Sequence, residues 1–228
     1  MKNLLVGTLL ISASVIVNST IADTKVVERS RQLVEDATVT AKMFTDDPNM
    51  SFLHANLAKA EGVLIIPKHG RAALIVGGAG GSGVLLKRQS GNQWSYPAFY
   101  TMGSGSIGLQ AGGGVSEIVL MVMSKRGMDS LLDSSFKLGL DTSVAAGPIG
   151  VGAKAQTADI QAFARTKGMF AGVSVDGSVI KVRDDYNSAY YSKDIPTAEI
   201  IDSNEISNPH AEQLRTAVAA MAQVGVNN

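Results

Sequence analysis

The chain contains no cysteine in its 228 residues. That excludes a disulfide framework, a thiolate nucleophile, a cysteine-based metal site and a lipidated cysteine behind a leader. Charge of one sign is lacking too: 20 basic residues balance 20 acidic ones, so no basic excess points to nucleic acid. Aromatic residues make up only 5% of the chain. The longest apolar stretch, near the start, falls short of the ~20 residues that a spanning helix needs. What is abundant is glycine: all but two of the 24 glycines lie between Gly62 and Gly177. With 45% hydrophobic residues, the chain is long enough to bury a sizeable core within one domain.

Met1 to Ala22 reads as a secretory leader, with Lys2, an apolar run from Leu4 to Val17 and small residues at Thr20-Ile21-Ala22 for cleavage before Asp23. Residues 23–228 then form a single domain exported to the periplasm. From Thr24 to Phe44, Val26, Ser30, Leu33, Ala37, Ala41 and Phe44 recur at steps of three and four, one stripe of a helix. The mixed charges on its other side favour docking on the protein's own core over lying on an anionic membrane. Asp46-Asp47-Pro48-Asn49 ends that helix; Ser51 caps a second through about Glu61, with Gly62 as its C-cap.

Between the helical ends lies β-type sequence. Val63 to Ile66 and Ala72 to Val76 read as a hairpin about a turn at Pro67 to Gly70, and Val84 to Arg88 pairs with Gln93 to Met102 across Ser90-Gly91-Asn92. Ile118 to Met123 is apolar without alternation: a strand buried on both faces, or a buried helix turn. A short helix over Lys125 to Ser134 precedes strands at Phe136–Ala146, Ile149–Ala155, Asp159–Thr166, Met169–Val175 and Ser178–Arg183, an antiparallel meander. A helix follows Asn208-Pro209, with Leu214, Val218 and Met221 on one stripe. The expected fold is α+β: a strongly curved, glycine-rich, barrel-like antiparallel sheet flanked by N- and C-terminal helices. Its organising stretch runs from Trp94 to Gly114, where Trp94, Tyr96, Phe99 and Tyr100 lead into a run of small residues. Such glycines mark bulges and corners of a bent sheet, or line a ligand crevice.

Catalytic motifs are few. Gly78 to Gly83 and Gly103 to Gly108 both fit G-x-G-x-x-G, but β-type residues follow Gly83 where a dinucleotide fingerprint opens a helix. No G-x-S-x-G is present, and His54, His69 and His210 lack metal-ligand spacing. Asp184-Asp185 reads as the acidic first turn of a helix, and Tyr186, Tyr190 and Tyr191 form an aromatic edge on it. No catalytic residue, metal or cofactor is assigned.

Several segments in order resemble the SYLF domain, the Ysc84-type lipid-binding family. They are Ala60 to Pro67, Gly77 to Leu86 (GGAGGSGVLL), Trp94 to Phe99, Gly108 to Gly113, Val144 to Pro148, Lys167 to Ser174, and Asn187 with Tyr190-Tyr191. The resemblance implies a lipid-binding module: eukaryotic relatives associate with phosphoinositide membranes and with actin, and bacterial relatives are exported envelope proteins. This chain shows no SH3 or FYVE segment and carries an export leader, so actin binding is not carried over. The expected ligand is a phospholipid, held by its head group or by an acyl chain in a crevice; a structural role binding an envelope protein is the alternative. For a head group the candidates are Lys68, Arg71, Lys167 and Arg183, basic residues at turn or strand ends. For an apolar crevice they are Trp94, Phe99, Phe170 and Tyr190.

Overall fold

A computed structural model describes residues 5–73, 76–107, 112–146, 157–166, 169–171, 175–203 and 205–226. Helix α1 (Leu5–Asp46) covers the predicted stripe; Ser30, Ala37, Ala41 and Phe44 are fully buried, and Val26 and Leu33 pack at the margin. Asp47 ends it by accepting from the Asn49 amide, and a 3₁₀ turn (Pro48–Met50) leads into α2 (Ser51–Leu57). That helix is shorter than expected, and Gly62 is no C-cap: it is the first residue of strand β1 (Gly62–Ala73). The sheet continues with β2 (Val76–Lys87), β3 (Ala98–Ile107) and β4 (Gly112–Val122). After α3 (Lys125–Leu132) come β5 (Ser135–Lys137) and β6 (Val144–Ala146), two strands where one was expected, because the chain turns at Gly139 with φ +83°. Strands β7 (Ile160–Thr166), β8 (Met169–Ala171) and β9 (Val179–Val182) complete the sheet. The chain closes with α4 (Asp184–Tyr191), α5 (Thr197–Asp202), a 3₁₀ turn after Asn208 and α6 (Glu212–Gln223). The strand expected over residues 149–155 lies outside the described residues. Among the described residues no helix is long and apolar enough to cross a membrane.

The strand order is β5-β9-β3-β2-β1-β4-β7-β6, with β8 also on β7. Every described pairing is antiparallel except β6 with β7. The local order β3-β2-β1-β4 is a Greek key, because β4 returns to the free side of β1. The later strands do not form the expected meander either, since β5 pairs with β9 and β6 runs parallel to β7. The two ends of the order, β5 and β6, are joined only by Leu138 to Ser143, tightened by a Leu138–Thr142 bridge. A flat sheet of eight strands at about 4.8 Å spacing would separate its edges by roughly 34 Å, whereas the seven Cα steps from Lys137 to Val144 reach ~25 Å at most. The sheet therefore curls into a half-barrel.

Both faces of the curl are packed. Val63, Ile65, Val84, Leu86, Phe99, Val119, Met121 and Phe163 meet helices α1, α2, α4 and α6. Leu64, Ile66, Leu85, Tyr100, Ile118, Leu120 and Ile180 meet α3, α5 and the β5 side on the inside of the curl. Ile118 to Met121 are consecutive and all at most 1% exposed. Of the two readings of that run, the strand buried on both faces is the one realised.

The largest departure from expectation is at Pro67 to Gly70, which make no turn. Strand β1 runs straight through them on a bulge: Ile66 pairs with Ile118 and His69 with Ser116, so Pro67 and Lys68 together oppose Glu117. A proline has no N–H to give a ladder, and a bulge is where a central strand tolerates one.

Candidate functional site

Beyond that bulge the sheet outruns its cores. Past His69 in β1, Gly83 in β2, Met102 in β3 and Ile118 in β4, every described side chain is exposed or half-buried. Four strands thus project as a ribbon in which, among the described side chains, none is buried. Register assigns the faces, because directly paired residues point the same way. Gly70 lies opposite Gly80 and Val115 on the helix side, and Arg71 lies opposite Ala79 and Gly114 on the other. A shallow concavity of about 570 Å³ is lined by Gly70, Arg71, Gly78 to Gly80, Gly114 and Val115. It exists because glycines there leave no side chains to fill it.

Of the basic candidates, Arg71 is exposed and makes no hydrogen bond or ion pair among the described residues. Lys68 leaves the bulge toward α1, its Nζ 2.6 Å from Asp36 Oδ2, so the two cations do not converge on one face. Arg183 holds Asp185 with two bonds of 2.8 and 2.6 Å and stacks 3.8 Å over the Tyr186 ring. Lys167 lies outside the described residues. Next to Arg71, His69 is only 6% exposed and its Nε2 has no partner. Burial, and then the Arg71 charge, depress its pKa and keep the imidazole neutral.

The aromatic candidates Trp94, Phe99 and Tyr190 are all buried in the core between sheet and helices. Phe99 packs 5.0 Å from the Tyr190 ring and 5.9 Å from that of Tyr186, and its amide donates to Asn187 Oδ1 at 2.9 Å. Phe170 places its backbone opposite Arg165 on β8; its side chain lies outside the description. Tyr190 joins His210 Nδ1 at 3.1 Å, and His210 Nε2 reaches Glu35 at 3.3 Å. Burial pushes the Tyr190 phenol far above its ordinary value, which keeps it protonated and makes this chain a structural tie between α4 and α1. Asp184 and Asp185 occupy the first turn of α4, as the sequence predicts. A second concavity, of about 540 Å³, lies between the end of α1 and the start of α6, with Lys42 and Asp46 facing Glu212.

Sequence reasoning missed Val115, which is 58% exposed, and the bareness of the ribbon. A signal for it was present: no aspartate or glutamate stands between Glu61 and Glu117, while Lys68, Arg71, Lys87 and Arg88 do. The whole chain is neutral, but this sheet segment is cationic.

A family described as "Ysc84: Las17-binding protein actin regulator" matches residues 103–221, more than half of the chain. The chain is 33% identical over 163 residues to the SH3 domain-containing protein PJ696.02 of Schizosaccharomyces pombe, covering 68% of this chain and 37% of that one. It is also 33% identical over 163 residues to LAS seventeen-binding protein 3 of Saccharomyces cerevisiae, covering 68% and 35%. With the SH3 domain-containing YSC84-like protein 1 of Homo sapiens it shares 29% over 164 residues, covering 69% and 48%. The chain thus spans a third to a half of the length of these curated relatives. On the family match and these identities, the chain belongs to the Ysc84 (SYLF) family.

Proposed function

We propose that this protein binds anionic phospholipid surfaces without catalysis, through the glycine-rich end of its sheet. The observation that carries this reading is Arg71: an exposed, uncommitted guanidinium on a ribbon whose carboxylate, Glu117 at its base, is already paired with Arg165. A guanidinium in that setting is free to take a phosphate in a forked pair of hydrogen bonds. The surrounding glycines let a head group approach the backbone closely.

Flotation of residues 23–228 with phosphatidylglycerol-containing and with pure phosphatidylcholine vesicles tests it. The protein floats with the anionic vesicles, and less so at high salt. Because a basic residue near an anionic leaflet contributes about 1 kcal/mol, Arg71→Glu weakens binding roughly tenfold or more. Failure to float with either vesicle rejects the reading. The leader composition supports action outside the cytoplasm, in a periplasmic envelope; N-terminal sequencing of the exported protein is expected to begin at Asp23, and an N-terminus at Met1 contradicts it.

A second reading rests on the relatives' printed names, which describe binding to another protein and regulation of actin. Under it the same ribbon contacts a protein partner in the envelope. Binding that persists with a partner protein while vesicles fail would select it.

A further inference from the structure

The reading above rests on Arg71 and leaves open how the protein meets a bilayer. We propose that the four-stranded end of the sheet enters the lipid interface itself, with the Val115 side chain buried among lipid and Arg71 at the level of the phosphates. This deepens the preceding proposal and depends on it.

Three observations converge on this end of the molecule. Antiparallel sheets ordinarily keep one face packed, yet no described side chain of β1 to β4 beyond the bulge is buried. Small sheets without a packed hydrophobic face are weakly held, so the ribbon gains from a partner that covers it. Charge complementarity identifies the partner: the ribbon carries Arg71 uncommitted, while Glu117 at its base is held by Arg165 at 3.2 Å. The other exposed apolar pair, Val39 and Met43 on α1, has Glu35, Asp36, Lys42 and Asp46 around it. Three acids there would be driven against the anionic head groups. Behind the ribbon, the buried His69 Nε2 without a partner shows that polar capacity at its base is also unmet. On the face that Val115 occupies, the residues paired across from it are Gly70 and, beyond that, Gly80, which have no side chain to cover it.

The absence of cysteine makes the test clean. Val115→Cys and, outside the four-stranded ribbon in the β5–β6 loop, Leu140→Cys are each labelled with an environment-sensitive nitrobenzoxadiazole probe. Both positions are exposed, at 58% and 74%, so neither label disturbs the core. On addition of phosphatidylglycerol vesicles, emission at position 115 shifts to the blue and is quenched by nitroxide lipids, while position 140 stays in water. In parallel, Val115→Asp lowers vesicle affinity roughly tenfold or more, the scale set by losing one buried valine, and Leu140→Asp leaves it unchanged. Vesicle binding with the probe at 115 still in water overturns this inference and leaves the lipid-binding reading standing. No binding of the unmodified protein to vesicles overturns both.

Discussion

Replacing Asp159 with alanine lowers the melting temperature at neutral pH by roughly 6–12 °C, the equivalent of about 3 kcal/mol in a domain of this size. Asp159 is 5% exposed and sits where three elements meet. Its carboxylate accepts from Ser124 Oγ at 2.6 Å, from Arg126 Nε at 3.2 Å, and from the amide and hydroxyl of Ser143 at 3.1 and 2.5 Å. Arg126 adds an ion pair through Nη2. Ser124 caps α3, Ser143 leads into β6 and Asp159 itself leads into β7, so one side chain ties the closing edge of the half-barrel to its neighbours. Arg126 first, then Ser124 and Ser143, hold the carboxyl far below its ordinary value against the opposing effect of burial. A depressed carboxylate stabilises the folded state above the unfolded pKa, about 4, and that contribution fades as pH falls from there toward the folded value. The gap between wild type and Asp159→Ala therefore narrows in acid. Unfolding curves at pH 7 and pH 3 check both parts; equal melting temperatures at pH 7 would refute the role of the hub.

An alanine at Gly83 is expected to destabilise the protein by about 3 kcal/mol, and a valine to prevent folding. A Cβ there would lie 2.6 Å from the Ile65 carbonyl oxygen and 2.7 Å from Ile66 Cγ1. The obstruction is the backbone of the neighbouring strand, just where β1 enters its bulge, and it has no rotamer to escape through. Gly105, on the neighbouring strand β3 in the ribbon, is the control: nothing lies within 4 Å of a Cβ there, and its φ is not positive. Gly105→Ala should be neutral or slightly stabilising, because it restricts the unfolded chain. Thermal unfolding of the pair separates glycines required by close packing from glycines that only keep the ribbon bare. A Gly83→Ala protein as stable as Gly105→Ala would contradict the bulge geometry.

Much of the fold was legible because side-chain periodicity is local. The stripe from Ser30 to Phe44, the one through Leu214, Val218 and Met221, and the doubly buried run at Ile118 all face the core as their spacing demands. The misreadings share a cause. Pro67 to Gly70 carries turn chemistry, and Gly62 sits where a helix would cap; in each case pairing with β4 across the sheet outweighed local preference. The meander failed likewise, since strand order depends on which edge a returning strand finds free.

The candidate site divides the same way. Its composition was readable: glycine in one block and a long interval between Glu61 and Glu117 without acids. The sequence by itself determined a cysteine-free α+β domain with helical ends and a cationic, glycine-rich sheet, because residue type and spacing set propensity and charge. Tertiary structure alone decided that Lys68 is spent on Asp36, that Arg183 is spent on Asp185, that Trp94, Phe99 and Tyr190 are core, and that Arg71 remains free. Ion pairs and burial arise between residues distant in the chain, and no local spacing encodes which partners the curl of a sheet will bring together.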